Sequence, residues 1–544
     1  MSSVQQRLTP SKTTSAVGDA PLLTLISDYA AWYGRQRPDS PAATVDGQVQ
    51  TYAQLARDVD ALARAMLEAG IRKGDRIAML APPCPDFLTV FLASATVGAV
   101  WVGLNPRYSY EELAYVVRDC APSLIIGRRN VAGRDYVKDL EALAAEASAD
   151  LVLIGEDELD ARAHLPLSVY AAQGASVPDE TLAERRASVT TRDPCLIVYT
   201  SGSTGRPKGA ILHHEGLILP ALEQGEPLRG EPLVMLNYLP INHIGCVGDI
   251  TALVLVNGGK LAFLEQFDVE TGLDVMAAEG VTLWGTVPSV FEMTTAHPAF
   301  AQAELSAVRR VFWGGAAMPA PTIKALMPVA TCMGTNYGLT ESCGPITATG
   351  DMTVQDEKGI AFATASVGRP TRHYEVRLRA ENGALVQDSG VDGEIEARGA
   401  PLFLGYWNRP DATAEAFTKD GWFRTGDVGA WLDDGRLRIT GRLKEMYKSG
   451  GYNVYPREIE IALETHPAIT EAAVVGIDDS VWGEVGVAFV IARGAVDEAE
   501  LQAHCRDRLA NYKIPKRFVI APDLPRLPVG KVDKMALRRL ALED

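Results

Sequence analysis

The chain has 544 residues, 47% hydrophobic and 22% charged, with a net charge of −17. That length accommodates two to four domains and a full-sized core. The acidic balance excludes counterion-release binding to nucleic acid and argues against docking on anionic lipid, since both need a basic surface. In chain order, the opening segment MSSVQQRLTPSKTTSAVGDA is polar, lacks an apolar stretch and reads as a loose tail rather than a signal peptide. TYAQ (51–54) is a Thr-x-x-Gln capping box. The helix it opens sets Leu55, Val59, Leu62 and Met66 on one face and stops at Gly70. The strand DRIAML follows. FLTVFLASATVGAVWVGL (87–104) is uncharged for 18 residues, the lower edge of a membrane span. Gly98 and the β-branched residues behind it favour a buried helix followed by a strand instead. SYEE (109–112) is a second capping box, opening a helix before the strand SLIIG. Alternating helix and strand predicts an α/β layer with a largely parallel sheet. Residues 128–190 read as peripheral.

Between 195 and 345 three apolar runs each end in a loop of small residues. CLIVY leads into YTSGSTGRPKG (199–209), VRRVFW into Gly314-Gly315-Ala316, and VATCM into GTNYGLTES (334–342). Ligands of open α/β sheets bind beyond the carboxyl ends of the strands, so these loops are expected to converge on one site. Beyond 355 the pattern alternates. YEVRLR turns at Asn382-Gly383 and WLDDGRLRI at Asp434-Gly435, which predicts an antiparallel, barrel-like section. From about 445 a small α+β unit closes the chain. It comprises a helix with Pro456 at its first position, strands AAVVGI and GVAFVI, a helix from Asp497 through Leu501, Cys505 and Leu509, and the strand RFVIA. The seven cysteines are widely spaced and form no C-x-x-C pair, which suits free thiols in a reducing compartment and offers no structural zinc site.

The loop at 199–209 is not a Walker A motif, which requires a lysine directly after its second glycine; here Pro207-Lys208-Gly209 follows Gly205 by two residues. It is not a Rossmann fingerprint either, because no helix opens directly behind Gly202 and Gly205. Its glycines, the Ser201, Ser203 and Thr204 hydroxyls and the Lys208 charge can nonetheless form an anion nest. On these residues alone, the loop is either a phosphate nest or a plain surface connection.

YTSGSTGRPKG strongly resembles the phosphate loop of the adenylate-forming superfamily, which includes acyl-CoA synthetases, nonribosomal adenylation domains and firefly-type luciferases. Further resemblances follow in order: YLPINHIG (238–245) to the acyl-pocket motif, GGAAM (314–318) to the adenine turn, and NYGLTES (336–342) to the aromatic–Gly–x–Thr–Glu signature. WFRTGDVG (422–429), GRLKEMYKSGGYNVYPREIE (441–460) and PVGKVDK (528–534) complete the set, which runs from about residue 25 to the C-terminus.

The resemblance implies a reaction in two halves. A carboxylate attacks the α-phosphorus of ATP to give acyl-AMP and pyrophosphate, and a thiol, that of CoA, then takes the acyl group and releases AMP. It implies Mg²⁺ as the metal. Thr200, Ser201, Gly202, Ser203, Thr204, Gly205 and Lys208 would cradle the β- and γ-phosphates. Tyr337 would stack on adenine, with Gly315, Ala316, Asn336 and Gly338 about the nucleotide. Thr340 would contact the α-phosphate and Glu341 would bind Mg²⁺. Asp427 would accept from the ribose hydroxyls, and Arg442 would reach ribose or phosphate. Lys531 would bridge the substrate carboxylate and the α-phosphate. Lys444 sits at the hinge position, and Lys448 matches a lysine that serves the second half-reaction in some members.

Pocket candidates are His243, Ile244, Gly248, Met333 and Ile346, together with Gly315 and Asn336. His243 either lines the pocket or is a satisfied buried histidine, and His213 and His214 read as structural. Asn242 and His243 stand where amino-acid-activating members carry an aspartate, so a free amino acid is disfavoured. The small and apolar lining suits a medium-chain fatty acid or an aryl-aliphatic acid. Asn336 departs from the glycine common at its position, which narrows the pocket or adds a hydrogen bond.

The expected fold is α/β: a tail (1–20), a large N-terminal domain of mixed α/β sheets (21–441) with the barrel-like section at 355–441, a hinge (442–444), and a small mobile α+β lid (445–544). The enzyme is expected to be cytoplasmic, without nucleic-acid or integral-membrane contact, with a homodimer left open. A carrier protein or an amine stands as the alternative acceptor to CoA.

Overall fold

The computed structural model describes residues 16–154, 167–200, 207–330, 332–526 and 532–543. Two compact units are present, Met1–Glu375 with Arg398–Gly421, and Val376–Ala397 with Trp422–Asp544.

The first unit is built on three sheets. One has six strands in the order Lys208–His213, Pro194–Thr200, Val100–Leu104, Arg76–Leu80, Leu124–Arg128 and Asp150–Ile154. All neighbours in it are parallel except the first pair, which is an antiparallel hairpin. The capping boxes at Thr51 and Ser109 both form, and each opens a helix, Tyr52–Glu68 and Tyr110–Cys120. Leu55, Val59, Leu62 and Met66 are buried along the first of these. The uncharged run divides into the helix Pro85–Thr96, buried from Phe87 onward, and the strand Val100–Leu104. Among the described residues no helix is long and apolar enough to cross a membrane. The peripheral region contributes the edge strand Asp150–Ile154.

A second sheet runs Leu283–Thr286, Arg310–Trp313, Cys332–Leu339, Gly344–Ala348, Arg369–Pro370, parallel over its first three strands. The three strands expected to feed the site therefore come from two sheets: Pro194–Thr200 from the first, the other two from the second. A third sheet, Val234–Asn237, Lys260–Phe263, Pro41–Val45 and Gln48–Thr51, has no counterpart in the sequence reading. Its strands are short, and Pro41–Val45 pairs with a partner more than two hundred residues away.

In the second unit, the hairpins at Asn382-Gly383 and Asp434-Gly435 belong to a five-stranded antiparallel sheet with Asp392–Gly399 between them. The closing α+β portion has the helix Pro456–Glu464, the long hairpin Ile469–Asp479 and Gly483–Ala492, the helix Glu498–Arg506 capped by Asp497, and the strand Arg517–Ile520 parallel to Gly483–Ala492. Leu501 and Cys505 are buried in its core. All seven cysteines are free thiols.

Candidate active site

The glycine-rich loop is carried by a hairpin. Thr200 and Lys208 are cross-strand partners, and the Thr200 hydroxyl donates to the Lys208 carbonyl at 3.4 Å. Ser201, Gly202, Ser203, Thr204 and Gly205 lie outside the described residues. Both ends of the loop are held by side chains that the sequence reading leaves out. Tyr115 donates through its hydroxyl to the Pro207 carbonyl at 2.8 Å, and Tyr199 to Asp119 at 2.7 Å. Asp119 also pairs with Arg409 at 2.8 Å, and its carbonyl accepts from the Trp407 indole N–H at 3.0 Å. Burial, with Cys120 and Asp119 nearby, raises the Tyr199 phenol far above its ordinary range, so it remains a donor.

The strand Cys332–Leu339 delivers the second group. Asn336 and Tyr337 pair with Ala348 and Thr347, and the register then slips at Gly338. A Cβ at Gly338 would lie 2.3 Å from the Gly344 carbonyl, so only glycine lets the two strands close here. The short turn Thr340–Ser342 is fixed by Ser342, whose hydroxyl accepts from the Leu339 N–H at 2.8 Å and donates to the Gly344 carbonyl at 2.6 Å. Glu341 is 8% exposed and accepts from the Tyr406 hydroxyl at 2.7 Å.

Tyr406 joins this turn to the hairpin, because the Lys208 ammonium lies 5.3 Å from the centre of its ring. The backbone around Tyr406 repeats the link. Phe403 N–H donates to the Glu341 carbonyl at 2.8 Å, Leu404 N–H to Ile211 at 2.9 Å and Trp407 N–H to Gly209 at 2.7 Å. Segment 403–407 thus covers the free edge of the Lys208–His213 strand and ties it to the turn bearing Thr340 and Glu341. The clue available in the sequence is LGYWNRPD (404–411), which crowds two aromatic residues between a glycine and a proline.

Gly315 has a φ of +82°, a left-handed conformation that glycine adopts without strain, and it and Ala316 are exposed. The Asn336 amide packs against Gly314, where an added Cβ would lie 2.5 Å from its Oδ1. Of the pocket candidates, His243 accepts the Gly245 N–H through Nδ1 at 3.0 Å. Ile244 contacts Gly248, where a Cβ would lie 2.8 Å from its Cδ1. Met333 and Ile346 are wholly buried, Met333 within the core of the second sheet. His213 caps the helix His214–Gly225, accepting the Gly216 N–H at 3.0 Å. His214 accepts the Ile26 N–H at 3.3 Å, and burial lowers its imidazole to about 3.

In the second unit Asp427 and Arg442 face each other across neighbouring strands, with Arg442 Nε 2.7 Å from Asp427 Oδ1. Asp427 is 3% exposed whereas the Arg442 side chain is half-exposed, a buried acceptor beside an accessible cation. Lys444 lies in the turn after Arg442. Lys448 is exposed and pairs with Glu381 at 3.3 Å. Lys531 lies outside the described residues; the residues on either side of that segment, Arg526 and Val532, form a β-bridge.

The AMP-binding enzyme family matches residues 30–407, and its C-terminal domain matches residues 458–531. The chain belongs to this adenylate-forming family. It stands among the AMP-forming acyl-CoA ligases. The ligase is 36% identical to a feruloyl-CoA synthase of Amycolatopsis sp, over 94% of its own length and 98% of the relative's. It is 33% identical to the long-chain-fatty-acid–CoA ligase FadD13 of Mycobacterium tuberculosis, over 93% and 97% of the two chains. Among solved structures it resembles the amide bond synthetase McbA from Marinactinospora thermotolerans, with a TM-score of 0.82 and 28% identity over 95% and 99% of the chains. In the ligase, the ordered motifs thus occupy a hairpin, a strand-to-turn junction and a cross-strand acid–base pair.

Proposed function

We propose that the enzyme activates a medium-chain fatty or aryl-aliphatic acid as its acyl-AMP and passes the acyl group to CoA. A carboxylate oxygen of the acid attacks the α-phosphorus of ATP, and the bond to pyrophosphate breaks. The CoA thiol then attacks the acyl carbon, loses its proton and expels AMP. The observation that carries this reading is the Tyr406 link, which holds the Glu341 carboxylate and the Lys208 ammonium about one side chain. Phosphoryl transfer depends on positioning and charge neutralisation around the phosphates, and this pairing supplies both an acidic and a basic group for them.

In this reading Thr200–Lys208 grip the β- and γ-phosphates, Tyr337 stacks on adenine, Thr340 contacts the α-phosphate, and Asp427 with Arg442 takes the ribose. Glu341 would hold Mg²⁺. A single carboxylate steadied by a phenol fits that ion, which binds one or two carboxylates together with substrate phosphates. When bound, the ion neutralises and orients the triphosphate. Lys531 bridges carboxylate and α-phosphate in the first half-reaction. Rotation about Lys444, the proposed hinge between residues 21–441 and 445–544, withdraws it for the second half-reaction and presents Lys448 with the 448–453 face. Small and apolar residues at Ile244, Gly248, Met333 and Ile346 support an acid with an apolar body. Seven free thiols support a reducing compartment, the cytoplasm. Likeness to an amide bond synthetase supports a second reading, in which an amine replaces CoA as acceptor.

Pyrophosphate and AMP release across a panel of carboxylic acids, with and without CoA, tests the proposal. Acid-dependent pyrophosphate release with CoA-dependent thioester formation is expected. Amide formation with supplied amines, and none of the CoA thioester, would favour the second reading.

A further inference from the structure

Three residues after Lys531, Lys534 opens the helix Lys534–Glu543. Its ammonium lies 2.5 Å from the Glu445 carboxylate and 2.8 Å from that of Glu460. Glu460 is 4% exposed and belongs to the buried face of the helix Pro456–Glu464. Glu445 directly follows Lys444, the proposed hinge. The chain is therefore held on both sides of Lys444. Before it, the Leu443 N–H donates to the Gly426 carbonyl at 2.9 Å; after it, the Glu445 carboxylate is held by Lys534.

The backbone beside Lys534 is fixed as closely. Arg526 and Val532 form a β-bridge, and the Asp533 N–H donates to the Pro525 carbonyl at 2.7 Å. The Asp533 carboxylate accepts the Ala536 N–H at 3.0 Å, and Leu537 and Ala541 are buried in one cluster with Val475 and Phe489 of the long hairpin. Glu460 has partners apart from Lys534: it accepts the Val474 N–H at 3.0 Å and lies 3.4 Å from Arg457. Burial works against the Lys534 charge, but Glu460 and Glu445 outweigh it and raise the ammonium above its ordinary range, so it stays charged. Desolvation offsets most of what an enclosed ion pair gains in stability, which leaves fixed position as its main contribution.

We propose that Lys534 is a positioning residue for the first half-reaction. Through Glu445 it ties the segment that bears Lys531 to the residue at which the rotating part of the chain begins. Rotation about Lys444 then carries Lys531 with it instead of being absorbed along the chain between them. This rests on the roles given above to Lys531 and Lys444. Lys534 acts only through Lys531, so its loss leaves the chemistry intact and the placement loose. Misplacing a reacting group by about 1 Å costs up to about a hundredfold in rate.

The test measures acid-dependent exchange of labelled pyrophosphate into ATP, and separately thioester formation from supplied acyl-AMP and CoA. The acid is the one the wild-type enzyme turns over fastest in a panel that includes octanoate and phenylpropanoate. In Lys534→Met the kcat for exchange is expected to fall about 10- to 100-fold, with the KM for ATP and thioester formation changed by less than about threefold. Lys534→Arg is expected to restore most of the exchange. Glu445→Gln, at a half-buried position, is expected to lose exchange in the same way, and the double variant to lose no more than Lys534→Met alone, because both remove one tie. Full exchange in Lys534→Met and Glu445→Gln, while Lys531→Ala abolishes it, overturns the assignment and leaves the role of Lys531 standing. Losses that fall equally on the two steps, or that add in the double variant, also overturn it. Undiminished exchange in Lys531→Ala overturns the role of Lys531, and this assignment with it.

Discussion

The Tyr406 hydroxyl donates to Glu341 at 2.7 Å while its ring faces Lys208 at 5.3 Å, so removing one oxygen separates the two links. Tyr406→Phe keeps the ring and frees the carboxylate to turn. The apparent affinity for Mg²⁺ in pyrophosphate release is expected to weaken about tenfold, the scale of one hydrogen bond to a charged group. A Mg²⁺ titration at saturating ATP checks this, and an unchanged midpoint would count against Tyr406 as a positioning residue. Asp427→Ala removes both the proposed ribose acceptor and the partner of Arg442. The KM for ATP is expected to rise about 10- to 100-fold, and an unaltered KM would refute the ribose role. Asp427 and Arg442 were singled out in the sequence by the motifs that resemble the adenylate-forming family; that they pair is a property of strand register. Tyr406 was not legible, since what marks it is the groups it faces, and spacing carries no trace of that.

At the scale of elements, the capped helices were readable because their causes are local: a hydroxyl at the first position, Gln54 or Glu112 three residues later, and apolar residues on one face. The third sheet depends on a partner more than two hundred residues away, and local pattern does not announce it. The hairpin bearing the glycine-rich loop is held from outside by Tyr115, Asp119 and Trp407. Asp119→Ala removes the acceptor shared by Tyr199 and Arg409. It is expected to lower kcat for pyrophosphate release by about tenfold, with little effect on thioester formation from supplied acyl-AMP. Equal losses in both steps would mean general destabilisation.

The start of the helix His214–Gly225 sets a pH dependence. Burial lowers the His214 imidazole from 6.5 to about 3, so between those values the unfolded chain binds the proton and the folded chain does not. Stability is therefore full above 6.5 and falls as the pH drops below it, by up to ~1.4 kcal/mol per pH unit. Thermal melts from pH 7 to pH 4.5 are expected to show a flatter decline in His214→Gln than in the wild type.

At the scale of the molecule, the proposed rotation about Lys444 divides the chemistry: Lys208, Thr340, Glu341, Asp427 and Arg442 precede it in the chain, and Lys531 follows it. Lys531→Ala is expected to abolish acyl-AMP formation while sparing thioester formation from supplied acyl-AMP. Equal loss of both steps would contradict the proposed rotation about Lys444. Acyl-AMP formation itself is tested most directly by acid-dependent exchange of labelled pyrophosphate into ATP in the absence of CoA. Exchange that requires the acid, and AMP as the sole nucleotide product once CoA is added, is the expected result. Release of ADP and phosphate, or thioester synthesis with no exchange for any acid, would contradict it.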